Sequence, residues 1–182
     1  MLTKNRKNVL NAFDTQNEYD PGEAIKICKN NAYAKFDESI EVHFSLGIDP
    51  RHADQLVRGT MTLPNGTGKD IKIVVITNDE NTKPILDLGV IECGLDDVLE
   101  KISGGWLDFD LIIASPAVMP KLGKLGRVLG ARGLMPSPKS GTVTTDIQTT
   151  VKEFLAGKIE FRNDKEGNVH LIFGKKSFDE SA

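Results

Sequence analysis

Residues 119–143, MPKLGKLGRVLGARGLMPSPKSGTV, carry Lys121, Lys124, Arg127, Arg132 and Lys139, and no Asp or Glu occurs between Asp110 and Asp146. Cations left without neighbouring acids attract anions, above all a phosphate backbone. Gly123, Gly126, Gly130, Gly133 and Gly141 let the main chain approach another surface, and Pro136 and Pro138 are expected to hold an extended path. A helix followed by an irregular, solvated loop accounts for the same residues without any ligand.

A second grouping is smaller. Lys35-Phe36 leads into Ser39, Glu41 and His43, which alternate with apolar residues. A cation beside an aromatic, next to small polar groups, suits RNA: the ring stacks on a base, the lysine reaches phosphate and the polar groups read a 2′-hydroxyl. The competing reading places Phe36 in a core.

Other chemistry is excluded more readily. Gly66-Thr67-Gly68-Lys69 has the flavour of a phosphate loop, but Asp70 stands where Ser or Thr is required, the leading glycine is missing and the stretch precedes a strand. A hinge is the better reading. The glycines around Leu125 are too widely spaced for a dinucleotide fingerprint and follow a helix. Nothing in sequence pairs His43, His52 or His170 with a nucleophile, so no catalytic or metal site is expected. Asp96-Asp97 and residues 38–41 read as solvated faces and helix starts. Cys28 and Cys93 lack Cys or His neighbours at ligand spacing and are expected to be buried free thiols.

The chain has 182 residues, 39% hydrophobic, enough for one domain or two small ones. No apolar run is long enough to span a bilayer. The basic start, MLTKNRKNVLNAF, lacks the apolar segment of a secretory signal and is short for a transit peptide, so the expected site of action is the compartment of synthesis. The net charge of -3 argues against a general nucleic-acid binder. A local basic patch escapes that argument, because screening limits distant acids to a reach of about 10 Å.

The elements that must position these groups follow from periodicity. Residues 3–13 predict a short basic helix capped by Thr3. Asp20-Pro21-Gly22-Glu23 predicts a helix start with Asp20 accepting free amides, and Ala24, Ile25, Ile27 and Cys28 form its apolar side. Ser39 to Leu46 alternates, with Ile40, Val42, Phe44 and Leu46 on one face. Residues 58–63 predict a second strand, and residues 64–68 a turn. Ile71 to Ile76 is an apolar run broken only by Lys72, typical of a strand covered on both faces. Helices are expected at 95–102, through Leu122, Leu125 and Leu129, and at 146–156 with Asp146 as cap; 111–114 is a buried strand. This alternation suggests a small parallel α/β unit. Alternating strands return at Ile159 and Phe161 and at Val169, Leu171 and Phe173, as though one antiparallel sheet were interrupted and resumed.

Residues 127–143, RVLGARGLMPSPKSGTV, closely resemble the signature of the L-one family of large-subunit ribosomal proteins, the family of the mobile stalk, in its bacterial form. Blocks at 46–69 and 159–174 resemble it too, in the family's order, and the resemblance extends over essentially the whole chain. The resemblance implies α/β and α+β classes in two domains. A split α+β sandwich domain comes from both chain ends (1–66 and 158–182), and a Rossmann-like α/β domain (67–157) is inserted, with a hinge at Pro64, Gly66, Gly68 and Gly157.

The implied function is a structural, non-enzymatic constituent of the large subunit, binding stalk ribosomal RNA and helping deacylated transfer RNA leave the exit site. Repression of its own messenger is a further family trait. The implied RNA contacts are Lys35, Phe36, Ser39, Glu41, His43, Arg58, Arg162 and Asp164. Arg58 has an ion pair as its competing role; Asp164 accepts from a 2′-hydroxyl or base amine, orients Arg162, or merely forms a turn. The basic segment, Lys121 to Lys139, is assigned to transfer RNA or to a mobile surface. No cofactor, metal or membrane is implied. The location is the ribosome, in a bacterial cytoplasm or an organelle matrix. Family members continue beyond residue 182 with a helix and strand, so a separate polypeptide or neighbouring component is expected to cover the sheet. The alternative is an α/β enzyme holding a nucleotide or phosphorylated substrate at 66–69 or 123–133.

Overall fold

The computed structural model describes residues 3–79 and 82–180. Helices α1 (Lys4–Ala12) and α2 (Pro21–Asn31) come first. The Thr3 hydroxyl accepts the Arg6 N–H at 3.4 Å, as predicted. At α2 the prediction holds for the boundary but not the cap. The Asp20 side chain makes no capping bond, and its carbonyl accepts the Ala24 N–H instead.

Strands β1 (Ser39–Ser45) and β2 (Arg58–Thr62) each find an antiparallel partner near the other end of the chain. These partners are β7 (Asn168–Lys175) and β6 (Lys158–Arg162), respectively. The single resumed sheet expected from sequence is instead two two-stranded ladders, β1–β7 and β2–β6. Gly59 faces Phe161 across the second ladder, where a Cβ would meet the ring at 2.8 Å. A side chain there would require the Phe161 ring to move aside.

Between these strands runs a parallel α/β arrangement. Strand β3 (Ile73–Ile76) lies between β4 (Glu92–Gly94) and β5 (Leu111–Ala114). All four β3 residues are fully buried, as a run covered on both faces requires. Val74 and Ile76 pack with Val98, Ile112, Leu122 and Leu129 on one face. Ile73 and Val75 pack with Ile85, Val90, Val151 and Phe154 on the other. The covering helices are α3 (Lys83–Leu86), α4 (Asp96–Ser103), α5 (Met119–Gly123), α6 (Gly126–Ala131) and α7 (Ile147–Leu155). The helix read through Leu122 and Leu129 is thus two short helices. Asp146 caps α7 as expected, accepting the Thr149 N–H at 3.2 Å.

The cysteines depart from expectation in different ways. Cys28 is exposed on α2, whereas Cys93 is half-buried on β4. Burial, helped by the negative Asp79 and Glu92, pushes the Cys93 thiol up to about 11, which keeps it an unreactive neutral group near pH 7. Among the described residues, no helix is long and apolar enough to cross a membrane.

The two connections between the paired ends and the parallel sheet touch. Gly157 has φ +104°, and a Cβ there would sit 2.6 Å from the Gly66 Cα and 3.0 Å from the Leu63 carbonyl oxygen. The Gly157 carbonyl accepts the Leu63 N–H at 3.0 Å. Both backbone conformation and space therefore demand glycine. Gly157→Ala is expected to lower stability by about 2 kcal/mol or more, from positive-φ strain plus displaced main chain. Urea unfolding measures this; an unchanged midpoint would show that the two connections do not meet.

Candidate nucleic-acid interface

Phe36 stands at a bend between α2 and β1 and is 73% exposed, so the core reading of this ring is wrong. Lys35 beside it is exposed as well. The bend is held from behind by the end of β7 and the residues after it. Asp37 accepts the Ser177 N–H at 3.0 Å and the Ser177 hydroxyl at 2.7 Å. The Lys176 ammonium donates to the Ala32 carbonyl at 2.6 Å, and the Lys29 ammonium donates to the Phe178 carbonyl. Glu38, read from sequence as solvated, is half-buried, and its Oε2 has no hydrogen-bond partner among the described residues.

From the bend, β1 presents Ser39, Glu41 and His43 on one exposed face. The ladder register sets Ser39 opposite Lys175 and His43 opposite His170. Directly opposed residues share a face, so Lys175 and His170 join the polar surface. The Lys175 ammonium donates to the Ser39 hydroxyl at 2.9 Å, and the two imidazole Nδ1 atoms lie 2.5 Å apart. The apolar face of β1 is half-buried at Ile40 and Val42 but exposed at Phe44, and Leu46 just beyond the strand is exposed too.

Asp164 extends this surface from the turn between β6 and β7. One oxygen accepts the Glu166 and Asn168 N–H groups at 2.9 and 2.8 Å, and the other lies 3.0 Å from His170 Nε2. The Asn168 amide, then His170, hold the Asp164 carboxyl well below its ordinary 3.8, at about 2. Asp164 is therefore a turn former and a histidine partner; its hydrogen bonds do not include Arg162. Arg162 lines the same hollow as Asp164 and His170. Arg58 faces Arg162 across the β2–β6 ladder, and Glu160 meets the Arg58 guanidinium at 2.6 Å. That pair offsets the repulsion between opposed arginines.

The basic segment divides into a structural part and an exposed part. Its second half is a buried knot of hydroxyls. Ser140 and Thr142 are 0% and 1% exposed, the Thr142 hydroxyl accepts the Ser137 N–H at 2.8 Å, and Ser140 Oγ lies 3.0 Å from it. Pro138 begins a tight 3-10 turn at Pro138–Ser140 rather than an extended path. Val143 then adds a parallel bridge to Ala114, so this stretch widens the β3 sheet. Of the cations, Lys121 pairs with Asp96 at 2.8 Å, whereas Lys124, Arg127, Arg132 and Lys139 are exposed. Arg132 lines a hollow with Arg162, Lys69 and Lys158, and a Cβ on Gly133 would lie 3.3 Å from Arg162 Nη2. Part of the segment thus lies beside a residue of the other grouping, a proximity absent from the sequence.

The phosphate-loop alternative loses its lysine. Lys69 Nζ is 2.6 Å from Asp110, and the Lys72 N–H also binds that carboxylate at 3.0 Å. Burial would raise Asp110, but these two donors outweigh it and hold the group ionised. Lys175 and the His43–His170 pairing were missed from sequence. The alternation of β7 hinted at shared faces, but only the register shows who meets whom.

Comparison with known proteins follows the same lines. The model of the Ribosomal protein L1p/L10e family matches residues 28–182. "Large ribosomal subunit protein uL1" of Prochlorococcus marinus subsp. pastoris is 58% identical over 164 residues, 90% of this chain and 70% of that protein. The protein of the same name from Beutenbergia cavernae is 48% identical over 180 residues, 99% of this chain and 76% of that protein.

The Asp164 environment makes a pH prediction. A carboxyl at about 2 when folded and at 3.8 when unfolded stabilises the fold above 3.8, and the stabilisation is lost as pH falls through about 2. Asp164→Asn should therefore flatten the fall in stability between those pH values. Urea midpoints at stepped pH test this, and equal slopes in both proteins would refute the Asp164 assignment.

Proposed function

The chain belongs to the ribosomal protein L1p/L10e family, and from that premise we propose that it is a structural constituent of the large ribosomal subunit, without enzymatic activity, which anchors on ribosomal RNA of the stalk. The observation that carries the anchor is the exposed Phe36 beside Lys35, at the head of a polar face formed by Ser39, Glu41 and His43. The ring provides a stacking platform, the lysine reaches phosphate and the strand offers groups for a 2′-hydroxyl. Arg162 and Asp164 extend the same surface, Arg162 toward phosphate and Asp164 toward hydroxyl or amine donors. Arg58 acts through its pairing with Glu160.

In this reading residues 1–66 and 158–182 form the anchoring domain and residues 67–157 form the inserted one. Pro64, Gly66, Gly68 and Gly157 are the hinge between them. The exposed cations Lys124, Arg127, Arg132 and Lys139, with Lys121, face exit-site transfer RNA. Binding of the same surface to a similar fold in its own messenger would repress its synthesis. The exposed Phe44 and Leu46 are covered within the particle by a neighbouring component or a separate polypeptide. The protein works on the ribosome, in a bacterial cytoplasm or the matrix of an organelle.

Binding to a stalk ribosomal-RNA fragment, measured across salt, tests this. Wild type should bind with a steep salt dependence. Phe36→Ala should lose about 5- to 150-fold, the value of about 1–3 kcal/mol for one stacked base. Lys124→Glu with Arg127→Glu should leave binding nearly unchanged. A loss in the double variant equal to that of Phe36→Ala would move the anchor to the basic segment. Absence of wild-type binding would overturn the RNA reading.

A further inference from the structure

His43 and His170 are 127 positions apart in the chain, yet they sit directly opposite on the β1–β7 ladder with their Nδ1 atoms facing each other at 2.5 Å. Their outer nitrogens both lie toward carboxylates. His170 Nε2 is 3.0 Å from Asp164, and His43 Nε2 is 3.8 Å from Glu41. Asp164 already accepts two main-chain N–H groups and offers His170 only an acceptor. With both rings neutral, the His170 proton lies on Nε2 beside Asp164, its Nδ1 carries a lone pair, and the His43 Nδ1–H donates to it.

We propose that this cross-strand pair is a binding site for a divalent zinc-type cation, held by His43 Nδ1 and His170 Nδ1. Imidazole suits zinc and its first-row neighbours, and a ligating histidine characteristically donates its other ring N–H to a carboxylate. Both rings are supplied with such a group: Asp164 at hydrogen-bond distance and Glu41 one small side-chain movement away. Zinc–nitrogen bonds of about 2.0–2.1 Å place two ligands on a tetrahedral ion about 3.3 Å apart. The rings must therefore part by about 0.8 Å relative to the proton-bridged state, from 2.5 Å. Their side chains are 57% and 50% exposed, which leaves them free to do so. On binding, the His43 proton moves from Nδ1 to Nε2, and the Nε2–H turns its hydrogen bond toward the Glu41 carboxylate. No net proton is released and no redox change occurs. Among the described residues no three His, Cys, Asp or Glu side chains converge on one point. The ion would thus keep two positions for water or for an oxygen of a ligand lying on this polar face. The site shares Glu41, His43 and Asp164 with the proposed RNA surface, and its test is made without RNA, so the two readings fail separately.

The test is calorimetric titration of zinc chloride into the full chain, free of any polyhistidine tag, with nitrogen-15 NMR of the imidazoles alongside. Wild type should bind one zinc per chain, with the His43 ring changing from the Nδ1–H to the Nε2–H form. His43→Gln and His170→Gln should each weaken binding at least about tenfold. His52→Gln, whose ring lies near Asp49 instead, should bind like wild type, and excess magnesium should not compete. Urea midpoints establish that the variants remain folded, and the wild-type NMR reading does not depend on any variant. Zinc binding that survives both His43→Gln and His170→Gln overturns the proposal, as does an unchanged pair of imidazole spectra at saturating zinc.

Discussion

The register of β1 against β7 is the constraint from which the polar surface follows. Ser39 opposite Lys175 and His43 opposite His170 bring polar side chains of the two strands together, while Glu41 stands opposite Ile172. A slip of one residue would send His170 and Lys175 to the opposite face, because side chains alternate with a period of two. The register is held at both ends. Near the start of β1, Asp37 binds Ser177 and Lys175 binds Ser39. At the other end the Leu46 N–H donates to the Gly167 carbonyl at 3.1 Å. Gly167 has φ +82° and packs so tightly that a Cβ would lie 2.7 Å from the Ile48 carbonyl oxygen.

The two parts of the molecule draw their stability from different sources. Around β3 there are two dense apolar clusters, one on each face of the sheet. In the paired ends, among the described residues, Val169 is the one buried hydrophobic side chain, while Tyr33, Phe36, Phe44, Leu46 and Leu56 are exposed. There the ladder bonds and the lysine and serine clamps bear more of the load. Segments with few buried apolar contacts open at lower free energy than a packed core. The proposed RNA surface thus lies on the less densely packed part, while the cations of residues 121–139 ride on the densely packed one.

The basic stretch at 119–143 combines packing and charge. Leu122, Leu129, Ser140 and Thr142 are inward and fully or almost fully buried, and they fix the path of the chain. Lys124, Arg127 and Lys139 occupy the intervening positions and remain exposed. Removing a cation changes a surface field, whereas removing Thr142 would strip partners from Ser137 and Ser140 at once.

Periodicity and local chemistry revealed most of the elements. Thr3 and Asp146 read as caps because a cap needs only the next few residues, and β3 read as a doubly covered strand because four consecutive apolar residues permit little else. The short α3 and β4 were not foreseen; four and three residues are too few for a period to show. The recognisable signature pointed to the family without any coordinates. The exposure of Phe36, the Arg58–Glu160 pair, the commitment of Lys69 to Asp110 and the meeting of His43 with His170 required the folded chain. The three pairs join residues 41 to 127 positions apart, and the exposure of Phe36 depends on how little of the described chain packs over its ring. Local sequence specifies what a residue can do; strand pairing across the chain decides which residue it does it with.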